Sequence, residues 1–372
     1  MKIAMFGQKR IPSREGGVEI VVEELSTRMA MAGHDVTCYN RRGHHVSGSE
    51  YDTKEKKKYK NVRIKSVPTI EKKGLAAVSS SFFAALCSAF GGYDVVHIHA
   101  EGPAAFCFIP KIFRKKVIVT VHGLDWQREK WKAGFGSKYI HFGEKMAVKY
   151  ADEIIVLSSE VKKYFKDTYG RKTRYIPNGV TRPEKIEADI IEKKFDLKKD
   201  SYILYLGRIV PEKGEHYLIE AFKDIETNKK LVIAGGTSDT DEYMDKLKQM
   251  AEQDDRIVFT GFVQGQLLQE LYSNAYVYVL PSDLEGMPLS LLEAMSYGNC
   301  CLTSDIKECT EVVGNKAVAF KKSDVKDLQD KLQKLCANSK LVDNYKDQAA
   351  DYICKKYDWN EIVDKTLQLY RR

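Results

Sequence analysis

This chain of 372 residues lacks several features, and each absence narrows what it can be. No stretch of about 18 apolar residues occurs and mean hydropathy is -0.40, so no membrane-spanning helix is expected. Residues 1–7 run straight into an apolar strand-like segment, without the long apolar core and small-residue cleavage site of a secretory signal. None of the eight cysteines, Cys38, Cys87, Cys107, Cys300, Cys301, Cys309, Cys336 and Cys354, forms a C-x-x-C pair. That spacing argues against zinc and for reduced core thiols in a cytosolic protein. The G-x-G-x-x-G fingerprint of ordinary dinucleotide-binding proteins is missing. So are low-complexity segments and short internal repeats. With 43% hydrophobic and 30% charged residues, a sizeable core is expected and wholesale disorder is not.

The net charge of +8 conceals an asymmetry. Residues 1–182 hold 33 Lys and Arg against 18 Asp and Glu, whereas residues 183–372 hold 27 against 34. A basic half suits nucleic acid, an anionic membrane or anionic substrates, and composition does not choose among them.

Short β-branched runs alternate with helix-like stretches along the whole chain. Strands are predicted at residues 2–6, 35–40, 62–67, 94–99, 117–121 and 153–157, then at 202–206, 231–234, 257–260, 276–280 and 300–303. Such runs, spaced for crossover helices, mark buried parallel strands of α/β domains. The pattern breaks after the turn cluster Ile176-Pro177-Asn178-Gly179 and resumes at Tyr202. The expected division is 1–181 and 182–356. Ligands of open parallel sheets bind at the carboxyl ends of strands, so two such domains imply a cleft between them.

Candidate site residues fall at those ends. Gly16 and Gly17 precede a helical pattern, where backbone N–H groups can approach a phosphate. His122 ends the fifth predicted strand and can donate a hydrogen bond to a hydroxyl or phosphate. Gly207-Arg208 ends another strand, with Lys213 five residues on; this pair suits a diphosphate. The fullest signal is the run Pro281-Ser282-Asp283-Leu284-Glu285-Gly286-Met287-Pro288-Leu289, followed by Glu293. A helix is predicted to begin near Pro288. The N–H groups around Gly286, Met287, Pro288 and Leu289 would form an anion site, and Glu285 and Glu293 would accept from sugar hydroxyls. His97 and His99 share a strand face but lack a third metal ligand nearby. Asp239-Thr240-Asp241 reads as a helix cap rather than a metal-diphosphate site.

Taken in order, these motifs resemble the GT-B glycosyltransferases of the retaining family 4. The resemblance rests on the E-x7-E pair Glu285 and Glu293, on Gly207-Arg208 with Pro211-Glu212-Lys213-Gly214, on Ile176-Pro177-Asn178-Gly179-Val180, and on Thr260-Gly261-Phe262-Val263. It implies two Rossmann-like domains facing each other across a cleft and a nucleotide-sugar donor held mainly by the C-terminal one. It also implies that 357–372 crosses back to the first domain. Arg208 and Lys213 would bind the diphosphate, with Gly207 in the same loop. The backbone around Phe262 and Val263 would meet the base, and Glu293 the ribose. Glu285 with Gly286, Met287, Pro288 and Leu289 would meet the transferred sugar and phosphates. Gly16, Gly17 and His122 would complete the site. The family needs no divalent metal or other cofactor, and Glu285 is not assigned as a nucleophile. The run from Gly7 to Glu19 looks like a capsule and exopolysaccharide subgroup that includes rhamnosyltransferases.

From Trp126 to Lys149 six Lys and Arg interleave with Trp126, Trp131, Phe135, Tyr139 and Phe142. With the clusters at residues 54–60 and 114–116, this suits an anionic membrane surface. No nucleic-acid-binding motif is present. Residues 75–90 read as a packed helix. The expectation is a cytoplasmic enzyme, peripheral on the inner membrane face, that glycosylates a lipid-linked or other saccharide acceptor for a surface polysaccharide. A sugar-nucleotide epimerase on the same scaffold and a non-enzymatic nucleic-acid-binding protein are the alternatives.

Overall fold

The apolar runs form strands buried on both faces. The computed structural model describes residues 1–43, 57–72, 74–127, 135–237 and 240–371. The chain divides into two units, Met1–Asn178 with Trp359–Arg372, and Gly179–Asp358.

The first unit begins with β1 (Lys2–Phe6), α1 (Gly17–Met31), β2 (Asp35–Arg41), β3 (Lys58–Tyr59), β4 (Val62–Val67) and α2 (Leu75–Phe90). It continues with β5 (Val95–His99), α3 (Glu101–Ala104), α4 (Phe108–Ile112), β6 (Lys116–Val121) and α5 (Phe135–Tyr150). β7 (Glu153–Val156), α6 (Ser159–Tyr169) and β8 (Arg174–Tyr175) follow. Its sheet order is β3-β4-β2-β1-β5-β6-β7-β8, parallel except for the β3–β4 pair. The second unit begins with α7 (Ile190–Phe195), β9 (Tyr202–Leu206), α8 (Glu215–Lys223), β10 (Lys230–Ala234), α9 (Asp241–Ala251) and β11 (Ile257–Gly261). Next come α10 (Gly265–Asn274), β12 (Val277–Leu280), α11 (Leu289–Ser296), β13 (Cys300–Ser304) and α12 (Lys307–Val313). β14 (Val318–Phe320), α13 (Val325–Ala337) and α14 (Ser339–Lys356) close it, and α15 (Trp359–Arg371) returns to the first unit. The second sheet is parallel throughout, in the order β11-β10-β9-β12-β13-β14.

Along the parallel strands of each sheet the order reverses once, between β1 and β5 and between β9 and β12. Such reversals open a crevice at the strands' carboxyl ends. α15 is held to its unit by an apolar face, Trp359, Ile362, Val363, Thr366, Leu367 and Tyr370. Tyr370 Oη lies 2.5 Å from His97 Nδ1 inside the core.

Several expectations change. The boundary falls three residues before 181–182, because Val180 N–H bonds to Tyr357 O and pairs with Asp358 within the second unit. β3, β8 and β14 were not foreseen; they are two or three residues long and stand at sheet edges. Not every cysteine is a core thiol: Cys87 is exposed on α2. Nor is α2 packed all round, since Leu75, Phe82 and Phe90 face outward. Residues 54–56 of the basic cluster, Trp131 and Asp239 lie outside the described residues. Among the described residues no helix is long and apolar enough to cross a membrane.

Candidate active site

In the second unit the turns after β9 and β12 flank the point where strand order reverses. The first carries Gly207, Arg208 and Lys213, and the second carries Ser282 and Glu285. Lys213 Nζ donates to Glu285 Oε1 at 2.5 Å, with side chains only 13% and 7% exposed. The buried Ser282 hydroxyl donates to the same oxygen at 2.7 Å. Thus two residues expected to meet a ligand separately meet each other.

Backbone contacts lock these turns together. Gly214 has φ +73°, and a Cβ there would lie 2.2 Å from Pro281 O, so the left-handed conformation and the close approach both require glycine. Asp283 N–H donates to Glu212 O at 2.9 Å, and Tyr217 Oη donates to Asp283 Oδ2 at 3.0 Å. Gly207 N–H donates to Ala234 O and Gly235 N–H to Gly261 O, stitching the ends of β9, β10 and β11. That brings Phe262 beside Gly236. Val263 is buried.

The helix after Glu285 starts at Leu289, not at Pro288, which caps it in extended backbone. Proline has no N–H, so Pro288 adds none to an anion site. Gly286, Met287 and Pro288 are buried. The N–H groups of Leu291 and Leu292 are taken by Pro288 O, so within the helix those of Leu289 and Ser290 are the ones an anion could meet. Glu293, one turn further on and half-buried, accepts from Tyr272 Oη at 3.3 Å; Tyr272 also stacks on Tyr297.

In the first unit β1 is followed by Gly7, whose φ is +121° and whose Cβ position would lie 2.0 Å from His99 O. Gly16 has extended backbone, so φ does not demand glycine there. A Cβ there would sit 2.5 Å from Glu19 Oε2, the tip of a side chain that can shift. Glu19 takes the Lys9 N–H at 2.7 Å and occupies the first turn of α1, which begins at the exposed Gly17. The Glu19 carboxylate thus lies beside the Gly16–Gly17 turn. His122 follows β6, with Nε2 3.1 Å from His99 Nδ1. Burial, then the neighbouring imidazoles, hold His99 well below the usual histidine range; burial and His122 push His97 down to about 3. His97 is spent on Tyr370 and Thr120. Asp241 accepts from Thr237 Oγ1 at 2.7 Å.

Sequence reasoning missed Glu215, which is fully buried between Tyr205 Oη at 2.7 Å and Tyr243 Oη at 3.1 Å. Its signal was present: Glu215, Leu218, Ile219 and Phe222 fall at helical spacing on one buried face. His99 was missed as a partner because its contact with His122 crosses between strand ends, and Ser282 because a serine in a turn gives no sign of which side chain it will meet.

The geometry and the paired Rossmann-like sheets define the GT-B class. Residues 187–369 match the family described as glycosyl transferases group 1, and residues 15–182 match Glycosyltransferase Family 4. An uncharacterized glycosyltransferase of Methanocaldococcus jannaschii is 25% identical over 395 residues, covering 100% of this chain and 98% of that protein. An Escherichia coli enzyme named UDP-Gal:alpha-D-GlcNAc-diphosphoundecaprenol alpha-1,3-galactosyltransferase is 31% identical over 248 residues, 61% of this chain and 62% of its own. The solved structure of sucrose-phosphate synthase from Thermosynechococcus elongatus superposes with a TM-score of 0.83 at 21% identity, covering 100% of this chain and 98% of that one. The chain belongs to the group 1 glycosyl transferases, with a family 4 N-terminal domain, and is a glycosyltransferase. These matches favour a transferase over the epimerase and nucleic-acid alternatives.

Burial raises the Glu215 carboxyl to about 7 from an ordinary value of 4.5. The folded state thus binds this proton more tightly than the unfolded state. Its stabilising contribution is complete below 4.5 and lost as pH rises to about 7. Glu215→Gln cannot ionise. The wild-type Tm minus that of the variant should therefore fall across this window in thermal melts; a constant difference would contradict the assignment.

Proposed function

We propose that this enzyme is a retaining glycosyltransferase that moves a sugar from a nucleotide-sugar donor to a lipid-linked saccharide in surface polysaccharide synthesis. The capsule and exopolysaccharide group with rhamnosyltransferases is the subgroup we favour. The observation that carries the reading is the convergence of Arg208, Lys213 and Glu285 at the strand-order reversal of the second sheet, with Glu293 on the helix that follows. A leaving nucleoside diphosphate gathers negative charge as the glycosidic bond breaks. Arg208, Lys213 and the first turn of α11 supply fixed positive potential for that charge. No metal or other cofactor has a role in this reading.

In it, the donor's diphosphate takes Lys213 from Glu285. Glu285 then turns its freed oxygen to the sugar hydroxyls, while Ser282 keeps the carboxylate oriented. Glu293 accepts from the ribose, and Gly207, Phe262 and the Val263 backbone border the base. In the first unit, Gly16, Gly17 and His122 serve the donor's sugar side. The UDP-sugar and lipid-diphosphate substrates in the Escherichia coli relative's name support both donor and acceptor class.

A membrane location is supported by the outer surface of the α2, α4 and α5 layer, whose helices touch in that order. α2 carries no charged residue, and Leu75, Phe82 and Phe90 share its outward face. Phe90, 71% exposed, meets Phe113 edge-on beside Ile112, 69% exposed, and Arg114, Lys115 and Lys116 follow directly. On α5 the exposed Lys138, Phe142, Lys145 and Lys149 recur at helical spacing. Apolar insertion flanked by cations suits an anionic bilayer. Trp126 and Tyr139, by contrast, turn inward, with the Trp126 Nε1 and Tyr139 Oη atoms buried.

A thermal-shift screen against UDP-, GDP- and dTDP-sugars should find one donor that raises Tm, because a bound ligand stabilises the folded state. Arg208→Ala and Glu293→Ala should abolish transfer with the fold intact; full activity in both would overturn the site. In flotation assays the protein should bind vesicles containing phosphatidylglycerol and not pure phosphatidylcholine. Combined Phe90→Ser, Ile112→Ser and Phe113→Ser should release it, and unchanged binding would remove this surface from the reading.

A further inference from the structure

One pair of buried acids has no part in the chemistry above. Glu101 opens α3, two residues after His99, and Glu144 lies within α5; both are fully buried. The helices touch here, since a Cβ on Gly143 would lie 2.0 Å from Glu101 O. One oxygen of each acid is satisfied. Glu101 Oε2 accepts the Asp125 N–H at 2.8 Å, and Glu144 Oε1 accepts Tyr164 Oη at 2.7 Å. The other two, Glu101 Oε1 and Glu144 Oε2, are buried without a hydrogen-bond donor among the described residues.

We propose that Glu101 and Glu144 hold one proton between them, Glu101 Oε1 donating to Glu144 Oε2, and that this acid–carboxylate pair positions the turn carrying His122. Two ionised carboxylates cannot share a site from which water is excluded. A single proton satisfies both orphaned oxygens and leaves one negative charge, which Tyr164 also stabilises. The groups facing the pair among the described residues are Asp125 from the turn, His141 on α5, and Tyr164 and Tyr169 from α6. His141 Nδ1 stands 4.0 Å from Glu144 Oε2, beyond hydrogen-bond reach. Burial first, then the charges of Asp125 and Glu144, raise the Glu101 carboxyl well above the usual range, in the same direction.

The consequence lies in the turn from His122 to Asp125. His99 holds its first residue by the ring, and Glu101 holds its last by the backbone. Both anchors come from the end of β5, so the imidazole's orientation is set by one strand terminus. Glu101 is thus a positioning residue, and its catalytic consequence rests on the donor-site reading of His122.

The test uses the full chain with Glu101→Gln and Glu101→Ala. Infrared spectra of ¹³C-glutamate-labelled protein at neutral pH should show a protonated carboxyl band that Glu101→Gln lacks; a wild type without that band overturns the proposal. Glutamine keeps a neutral donor, so its Tm should gain on wild type as pH rises above the ordinary glutamate value of 4.5. A gap that does not move with pH overturns it too. Glu101→Ala should lower kcat by about tenfold or more with nucleoside diphosphate affinity unchanged, and glutamine should restore kcat. Equal kcat in the alanine variant would refute positioning. The infrared and melting readouts need no substrate, so they are decided separately from the donor assignment.

Discussion

The contact between Lys213 and Glu285 joins two turns that are 72 residues apart in sequence and adjacent in space. Both side chains are largely withdrawn from water. Desolvating two charges costs several kcal/mol per ion before their attraction repays any of it, so such a pair is poor evidence of stabilisation. Its support is local and extensive. Ser282 donates to the same carboxylate, Gly214 lets the lysine turn approach the Pro281 carbonyl, and Asp283 bonds to Glu212. A cation held ready beside a carboxylate, at the carboxyl ends of parallel strands, is an arrangement an entering diphosphate can exchange into.

The first unit builds its turn differently. There a strand terminus supplies His99 and Glu101 to hold the His122 turn at both ends. The Glu19 carboxylate fills the start of α1. The basic character of residues 1–182 is expressed on the outside, on α5 and after α4, rather than in this turn. In the proposed function the acidic half carries its few useful cations, Arg208 and Lys213, in loops that would meet the donor, although net charge alone points an anionic ligand to the other half.

The strands of the two sheets were legible because parallel strands covered on both faces read as unbroken apolar runs, as in residues 95–99 and 202–206. β3 and β8 were not, because Lys58-Tyr59 and Arg174-Tyr175 carry charge at exposed edges. Glu285, Glu293, Arg208 and Lys213 were legible as motif positions. That Lys213 and Glu285 touch was not, since nothing in either segment encodes a contact made through the sheet. Glu144 lay in view between Ile140 and Ala147 at helical spacing, on a buried face. It was passed over because a lone glutamate in a basic helix reads as a surface residue.

The most direct measurement is calorimetric titration of the preferred nucleoside diphosphate and of its bare nucleoside into wild type and Lys213→Met. If Lys213 is the diphosphate's cation, the variant loses about tenfold or more in affinity for the diphosphate, about 1.4 kcal/mol, and nothing for the nucleoside. Equal affinities of the two proteins for the diphosphate would contradict the exchange of Lys213 from Glu285 to the ligand.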